Sequence, residues 1–172
     1  MNKFGIFYPL LTGTDNPILR KKSAPILHFD QEVKDFAKVL LTLMYEYDGV
    51  GLAASQLGEN IRMVALTQRK EQKAPKGKTP NRKLIGEYIM INPEILEHSS
   101  ATQITEEACL SVPNTYGEVK RYQRIKVKYY DPTGKVHTKK LQGFNAVITQ
   151  HEIDHLNGIL FIDKMIRDTS EL

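Results

Sequence analysis

An α+β fold, mostly antiparallel strands packed around a central helix, is predicted by three features of this 172-residue sequence. The run Arg124 to Tyr130 alternates Ile125, Val127 and Tyr129 with Lys126, Lys128 and Tyr130, the period of a half-buried strand. Asp131-Pro132-Thr133-Gly134 turns that strand into another around Val136 to Leu141. Two segments, one after Asp30 and one after Gly143, instead carry apolar residues at a three-to-four spacing, the period of a helix.

Taken in chain order, Asp30 caps a helix whose stripe is Val33, Phe36, Ala37, Leu40, Leu43, Met44 and Tyr47, ended near Asp48-Gly49. This stripe reads as core. The run Gly49-Val50-Gly51-Leu52-Ala53-Ala54-Ser55-Gln56 follows as a turn in which Gly49 and Gly51 permit close backbone approach. It lacks the preceding strand and the Lys-Ser/Thr of a phosphate-binding loop. Strand-like segments come at Arg62 to Leu66 and Tyr88 to Ile91. The second helix runs from about Asn145 to Asn157, with Val147, Ile148, His151 and His155 on neighbouring faces and Gly158 as its C-terminal cap.

Composition sets the frame. With 41% hydrophobic and 26% charged residues, the chain is long enough for one buried core and reads as a single catalytic-sized domain over residues 1–172. Phe4 to Leu11 is apolar but interrupted by Gly5 and Pro9, so neither a secretory signal nor a membrane span is expected. The formal charge of +4 is uneven: Arg69 to Lys83 holds seven basic residues and one acid, a segment charge of +6 that leaves −2 elsewhere. With Pro75, Gly77 and Pro80 inside it, the segment at about 69–83 reads as a basic polar loop. Solvation explains such a loop most simply, contact with RNA is the functional alternative, and no specific nucleic-acid module is seen.

The chemistry concentrates in Gln150-His151-Glu152-Ile153-Asp154-His155. Two imidazoles four apart stack on one helix face and can hold one metal ion, with Glu152 beside it to move protons. The third ligand is not downstream. Phe161 stands where a His-Glu-x-x-His-x-x-Gly-x-x-His site needs its last histidine, and no later helix fits after His155 to supply a glutamate. Upstream candidates are Cys109, His28, His98, His137 or a carboxylate. Cys109 leads them, because it is the only cysteine and a thiolate is a good ligand for zinc or ferrous iron. Three protein ligands leave a position for water, which favours catalysis over a structural zinc site.

Cys109 lies in Glu106-Glu107-Ala108-Cys109-Leu110-Ser111. Together with the glycine-rich run and the histidine helix, this segment resembles the peptide deformylases. Their three motifs occur here in family order, with Ala108 in place of a family glycine. Asp15-Asn16-Pro17-Ile18-Leu19-Arg20, Ile91-Asn92-Pro93 and Gly158 to Asp163 extend the resemblance over most of the chain.

The resemblance implies a hydrolase that removes the formyl group from N-terminal N-formylmethionine of nascent polypeptides. The ion, held by Cys109, His151 and His155, would be ferrous iron in the cell, with zinc, nickel or cobalt compatible with the same donors. Glu152 would be the proton carrier, and the Gln56 amide and the Leu110 backbone N–H the oxyanion donors. The peptide would lie as an added strand near Gly51 and Tyr116, its methionine in a pocket walled by Val50, Phe144, Val147 and Ile148. A reducing compartment is expected for the metal thiolate: a bacterial cytoplasm, or an organelle for a mature imported form. If position 108 requires positive φ, alanine there costs about 1 kcal/mol; otherwise its methyl only fills space. Two alternatives from other classes are a metallopeptidase and a metal-stabilised RNA-binding module.

Overall fold

The structure is a computed structural model and describes residues 8–72 and 81–170. Asp30 starts the first helix as expected: its Oδ1 accepts from Val33 N at 3.0 Å, and α1 runs Gln31–Glu46. Its buried residues Ala37, Leu40, Leu43 and Met44 belong to a cluster with Leu52, Met63 and Ile91. Asp48, at φ 54, turns the chain out of the helix. The glycine-rich run is less of a turn than its sequence suggests. Gly51–Ala53 forms a short strand, β1, and Ala54–Leu57 a single 3₁₀ turn.

The predicted strands are present, and longer. β2 is Met63–Glu71, β3 Arg82–His98, β6 Arg124–Tyr130 and β7 Val136–Gln142. Arg69 and Lys70 pair with Leu84 and Lys83 in the β2–β3 ladder, so the ends of the expected basic loop are strand. Backbone pairing across the ribbon outweighs the polar composition of its ends. Residues 73–80 of that loop lie outside the described residues. Three strands carry no clear sequence signal: β4 (Thr102–Cys109), β5 (Val112–Tyr122) and β8 (Met165–Asp168).

Two sheets result, ordered β1-β2-β3-β6-β7 and β4-β5-β8, with every ladder antiparallel. The second helix, α2 (Phe144–Leu156), packs against β1, β2, β7 and β5, and ten of its thirteen residues are buried. Burial on all sides marks it as the central helix rather than a surface one. Gly158, at φ 73, ends it: Ile159 N donates to Asp154 O and Gly158 N to His155 O, the paired bonds of a Schellman cap. A Cβ on Gly158 would stand 2.3 Å from Arg20 O, so glycine is required there twice over. Arg62 completes the helix end by donating to Leu156 O at 3.1 Å and Asn157 Oδ1 at 3.0 Å. Among the described residues no helix is long and apolar enough to cross a membrane.

Candidate metal centre

The fold brings the predicted ligands together. Cys109 ends β4, while His151 and His155 stand one turn apart on α2; one ligand atom from each lies within 4.8 Å of the others. The Cys109 sulfur is 3.2 Å from His155 Nε2. Of the other upstream candidates, His28, His98 and His137 are not in this group. The donor set suits a single borderline-soft divalent ion.

Burial opposes a charge on His151, yet the Cys109 sulfur and the Glu107 carboxylate prevail and push its pKa up to about 10. Burial and the neighbouring His151 drive His155 well below its ordinary value.

His151 is aimed by a buried network. Its Nδ1 lies 2.9 Å from Glu107 Oε2, and Glu107 accepts two bonds from Arg121, at 2.8 Å and 2.9 Å. Arg121 also donates to Asp154 Oδ2 at 2.5 Å, and Lys164 reaches Asp154 Oδ1 at 2.7 Å. Burial raises the Glu107 pKa, but Arg121 and His151 outweigh it and hold the carboxyl at about 2. Phe161, the residue in place of a third histidine, is buried with its ring 6.3 Å from that of His151. It packs against His151 instead of supplying a third imidazole.

Glu152 lies beside the ligands but outside their group. It is 4% exposed, and its Oε2 has no hydrogen-bond partner among the described residues. Burial raises its pKa to about 7, although His151 pulls the other way. Gly51 makes room for it, since a Cβ at that position would stand 2.3 Å from Glu152 Oε1. Close approach, expected from the sequence, is therefore made to a side chain of α2.

Gln56 is buried at the same place with its amide orientation fixed. Its Oε1 accepts from Ala53 N at 2.9 Å, which turns Nε2 toward Ser111 Oγ at 3.0 Å and the Cys109 sulfur at 3.8 Å. Leu110 follows Cys109 in the turn joining β4 to β5. Ala108 is paired with Tyr116 in β4, its φ is not positive and the residue is exposed. The methyl group therefore carries no backbone strain.

The expected pocket residues divide. Val147 and Ile148 are buried, while Val50 and Phe144 are half-buried and pack against the cluster that contains Ile148. Tyr116 is 48% exposed, but its backbone is committed: N donates to Ser170 Oγ and O accepts from Thr169 N. Glu107, Arg121, Asp154 and Ser111 are site residues to which sequence reasoning gave no role. Glu107 and Asp154 were visible inside the motifs, whereas Arg121 becomes significant only once β5 is placed beside α2.

Three side chains able to hold one metal ion, beside a buried glutamate, point to the class: a metal-dependent hydrolase on an antiparallel α+β scaffold. Comparison with known proteins makes this specific. Residues 9–171 match the model of the polypeptide deformylase family. The peptide deformylase of Mesorhizobium japonicum is 42% identical over 163 residues, covering 93% of this chain and 86% of the relative. A Met-Ala-Ser-bound crystal structure of the class I type b peptide deformylase from Acinetobacter baumannii superposes with a TM-score of 0.82 at 35% identity, covering 93% of this chain and 99% of that one. The Thermotoga maritima enzyme structure gives 0.77 at 38% identity, covering 93% and 98%. The chain belongs to the polypeptide deformylase family. It is accordingly a metal-dependent hydrolase that releases formate from N-terminal N-formylmethionine.

Proposed function

We propose that this reaction is carried out at Cys109, His151 and His155, with Glu152 as proton carrier and the Gln56 amide and Leu110 N–H as oxyanion donors. The observation that carries the assignment is the convergence of a partnerless Glu152 oxygen and an oriented Gln56 amide on one cluster of three metal-binding atoms. Cys109, His151 and His155 would hold a divalent ion, which when bound would supply Lewis acidity to activate water near neutral pH. Glu152, with its carboxyl near neutrality, accepts a proton from the attacking water and returns it to the departing amine. As the formyl carbon becomes tetrahedral, charge builds on its oxygen, and the fixed Gln56 Nε2 meets that charge without reorganising.

The peptide then lies along β1, which is an edge strand of its sheet. Gly51 offers backbone there, and Tyr116 contributes its ring because its own backbone groups are taken. Val50, Phe144, Val147 and Ile148 form the methionine wall. The working ion is ferrous iron, in keeping with the thiolate-imidazole donors; zinc, nickel and cobalt fit the same atoms. A thiolate ligand suits a reducing compartment, and the nascent-chain substrate suits the cytoplasm with transient ribosome contact. The family match over residues 9–171 supports a single catalytic domain.

The decisive experiment measures formate from a formyl-Met tripeptide and from its unformylated counterpart, using protein purified without oxygen and loaded with ferrous iron or nickel. Formate from the formylated peptide alone supports the assignment. Internal cleavage of the unformylated peptide would replace it with a peptidase.

Two substitutions separate the roles. Cys109→Ala should lower metal affinity by more than the ~10–100-fold typical of losing an outer partner, read by chelator competition. Gln56→Ala should keep metal content and lower kcat by about 10²–10³-fold, the usual effect of losing one oxyanion donor. An unchanged kcat would remove Gln56 from the chemistry.

A further inference from the structure

A second feature lies apart from the metal ligands. A surface groove of about 1120 Å³ is lined by Arg69, Lys70, Arg124, Lys126 and Lys140 against one carboxylate, Glu97. Its lining carries a net charge of +4, equal to the formal charge of the whole chain, so the rest of the molecule is neutral overall. Concentrating the entire net charge in one concave surface focuses its field on whatever enters.

Little of that charge is consumed internally. Lys126 pairs with Glu97 at 2.6 Å, and Lys140 adds to the pull on the same carboxylate. Arg69 directs its guanidinium to uncharged oxygens, Thr67 Oγ1 at 3.2 Å and Arg82 O at 3.4 Å. Among the described residues, Lys70 and Arg124 form no ion pair. The start of α2 opens on the same groove through Gly143 and Asn145. Gly143 provides no side-chain cap, and the Asn145 side chain is committed to the Arg69 backbone. An uncapped helix start therefore adds its positive end to the five cations.

The groove also has a flat aromatic wall. His98 lines it, and its ring stacks on Tyr122 with centroids 3.7 Å apart and planes 13° apart. We propose that this groove binds a single-stranded nucleic acid without sequence specificity, through its phosphates, with the His98–Tyr122 pair as a platform for a base. An acidic polypeptide would satisfy the cations but has no use for a stacked ring plane beside them. The groove borders the proposed methionine wall at Phe144, but its cations and stacked ring take no part in the roles assigned at the metal centre.

The test is fluorescence anisotropy of a labelled oligouridylate titrated with the metal-loaded full chain at several salt concentrations. Binding should weaken with salt, log K falling by about 0.7 per decade of salt for each phosphate neutralised. The double variant Arg124→Glu/Lys140→Glu should lose more than ~10-fold in affinity, with a slope shallower by about 1.4. Its deformylation of a formyl-Met tripeptide should be unchanged, which shows that it is folded. His98→Ala should weaken binding without changing the slope. No binding by the unaltered chain at low salt, or equal binding by the double variant, would overturn the proposal. Equal binding of polyglutamate would assign the groove to acidic polypeptides instead.

Discussion

Glu152→Gln is expected to retain its metal and lose turnover by about a thousandfold, within the ~10²–10⁴-fold range of a positioned general acid–base. The substitution keeps the shape of a side chain that is 4% exposed and packed over Gly51, where even a methyl group would collide with it. Packing is therefore preserved. What disappears is a carboxylate whose Oε2 has no partner among the described residues and which is proposed to take up the proton. Because Glu152 is outside the ligand group, metal content should match the unaltered protein by atomic absorption. A variant turning over at the normal rate would remove Glu152 from proton transfer. One that lost its metal would make the carboxylate part of the site's support instead.

The contrast with Gln56→Ala is informative because the two act at different moments. In the proposed roles Glu152 moves a proton, so its loss should not be offset by other donors. Gln56 is proposed to supply one of two hydrogen bonds to a developing charge, and the Leu110 N–H would remain in its absence. Both variants should lower kcat with KM little changed, since neither group is needed to hold the ground-state peptide.

How much of this was legible in the sequence depended on whether the signal was local. The Asp30 cap and a three-to-four stripe placed α1, and the alternation from Arg124 to Tyr130 placed β6 at its observed ends. The expected helix at about 145–157 lies within one residue of Phe144–Leu156. β4 and β5 were missed for physical reasons. Thr102–Cys109 carries Gln103, Thr105, Glu106 and Glu107 on a half-exposed hairpin, and Val112–Tyr122 contains Pro113, Asn114 and Gly117, which read as turn residues. Their strand character comes from pairing with each other and with β8.

The same division runs through the site. The three side chains that could hold a metal were legible because two of them keep a fixed spacing on one helix and the third sits in a recognisable motif. Their support was not, because Arg121 lies 14 residues from Glu107 and 33 from Asp154 and only the fold brings the three together. Ala108 shows the reverse: its departure from the family glycine raised a question of backbone strain that the sequence could not answer. An ordinary φ and an exposed methyl answer it.

Arg121→Met tests that hidden support and should be the most destabilising single change considered. Arg121 is 3% exposed and holds two buried carboxylates, Glu107 at 7% and Asp154 at 7%. Removing the shared cation leaves Glu107 facing only His151 and Asp154 facing only Lys164, which is half in solvent. Breaking a buried pair in this way costs about 3–5 kcal/mol, or roughly 10 °C in Tm for a domain of this size. A purely structural role would end there. Glu107 also fixes the ring of His151, so metal affinity should fall by about 10–100-fold at temperatures where the variant is still folded. The triple variant Arg121→Met/Glu107→Gln/Asp154→Asn separates the two effects: with no buried charge left unpaired, it should recover most of the lost Tm. Its metal affinity should stay low, because an amide at position 107 no longer draws on the imidazole as a carboxylate does. Recovery of stability and affinity together would reduce the network to packing, whereas recovery of stability alone makes Glu107 and Arg121 positioning residues for the metal.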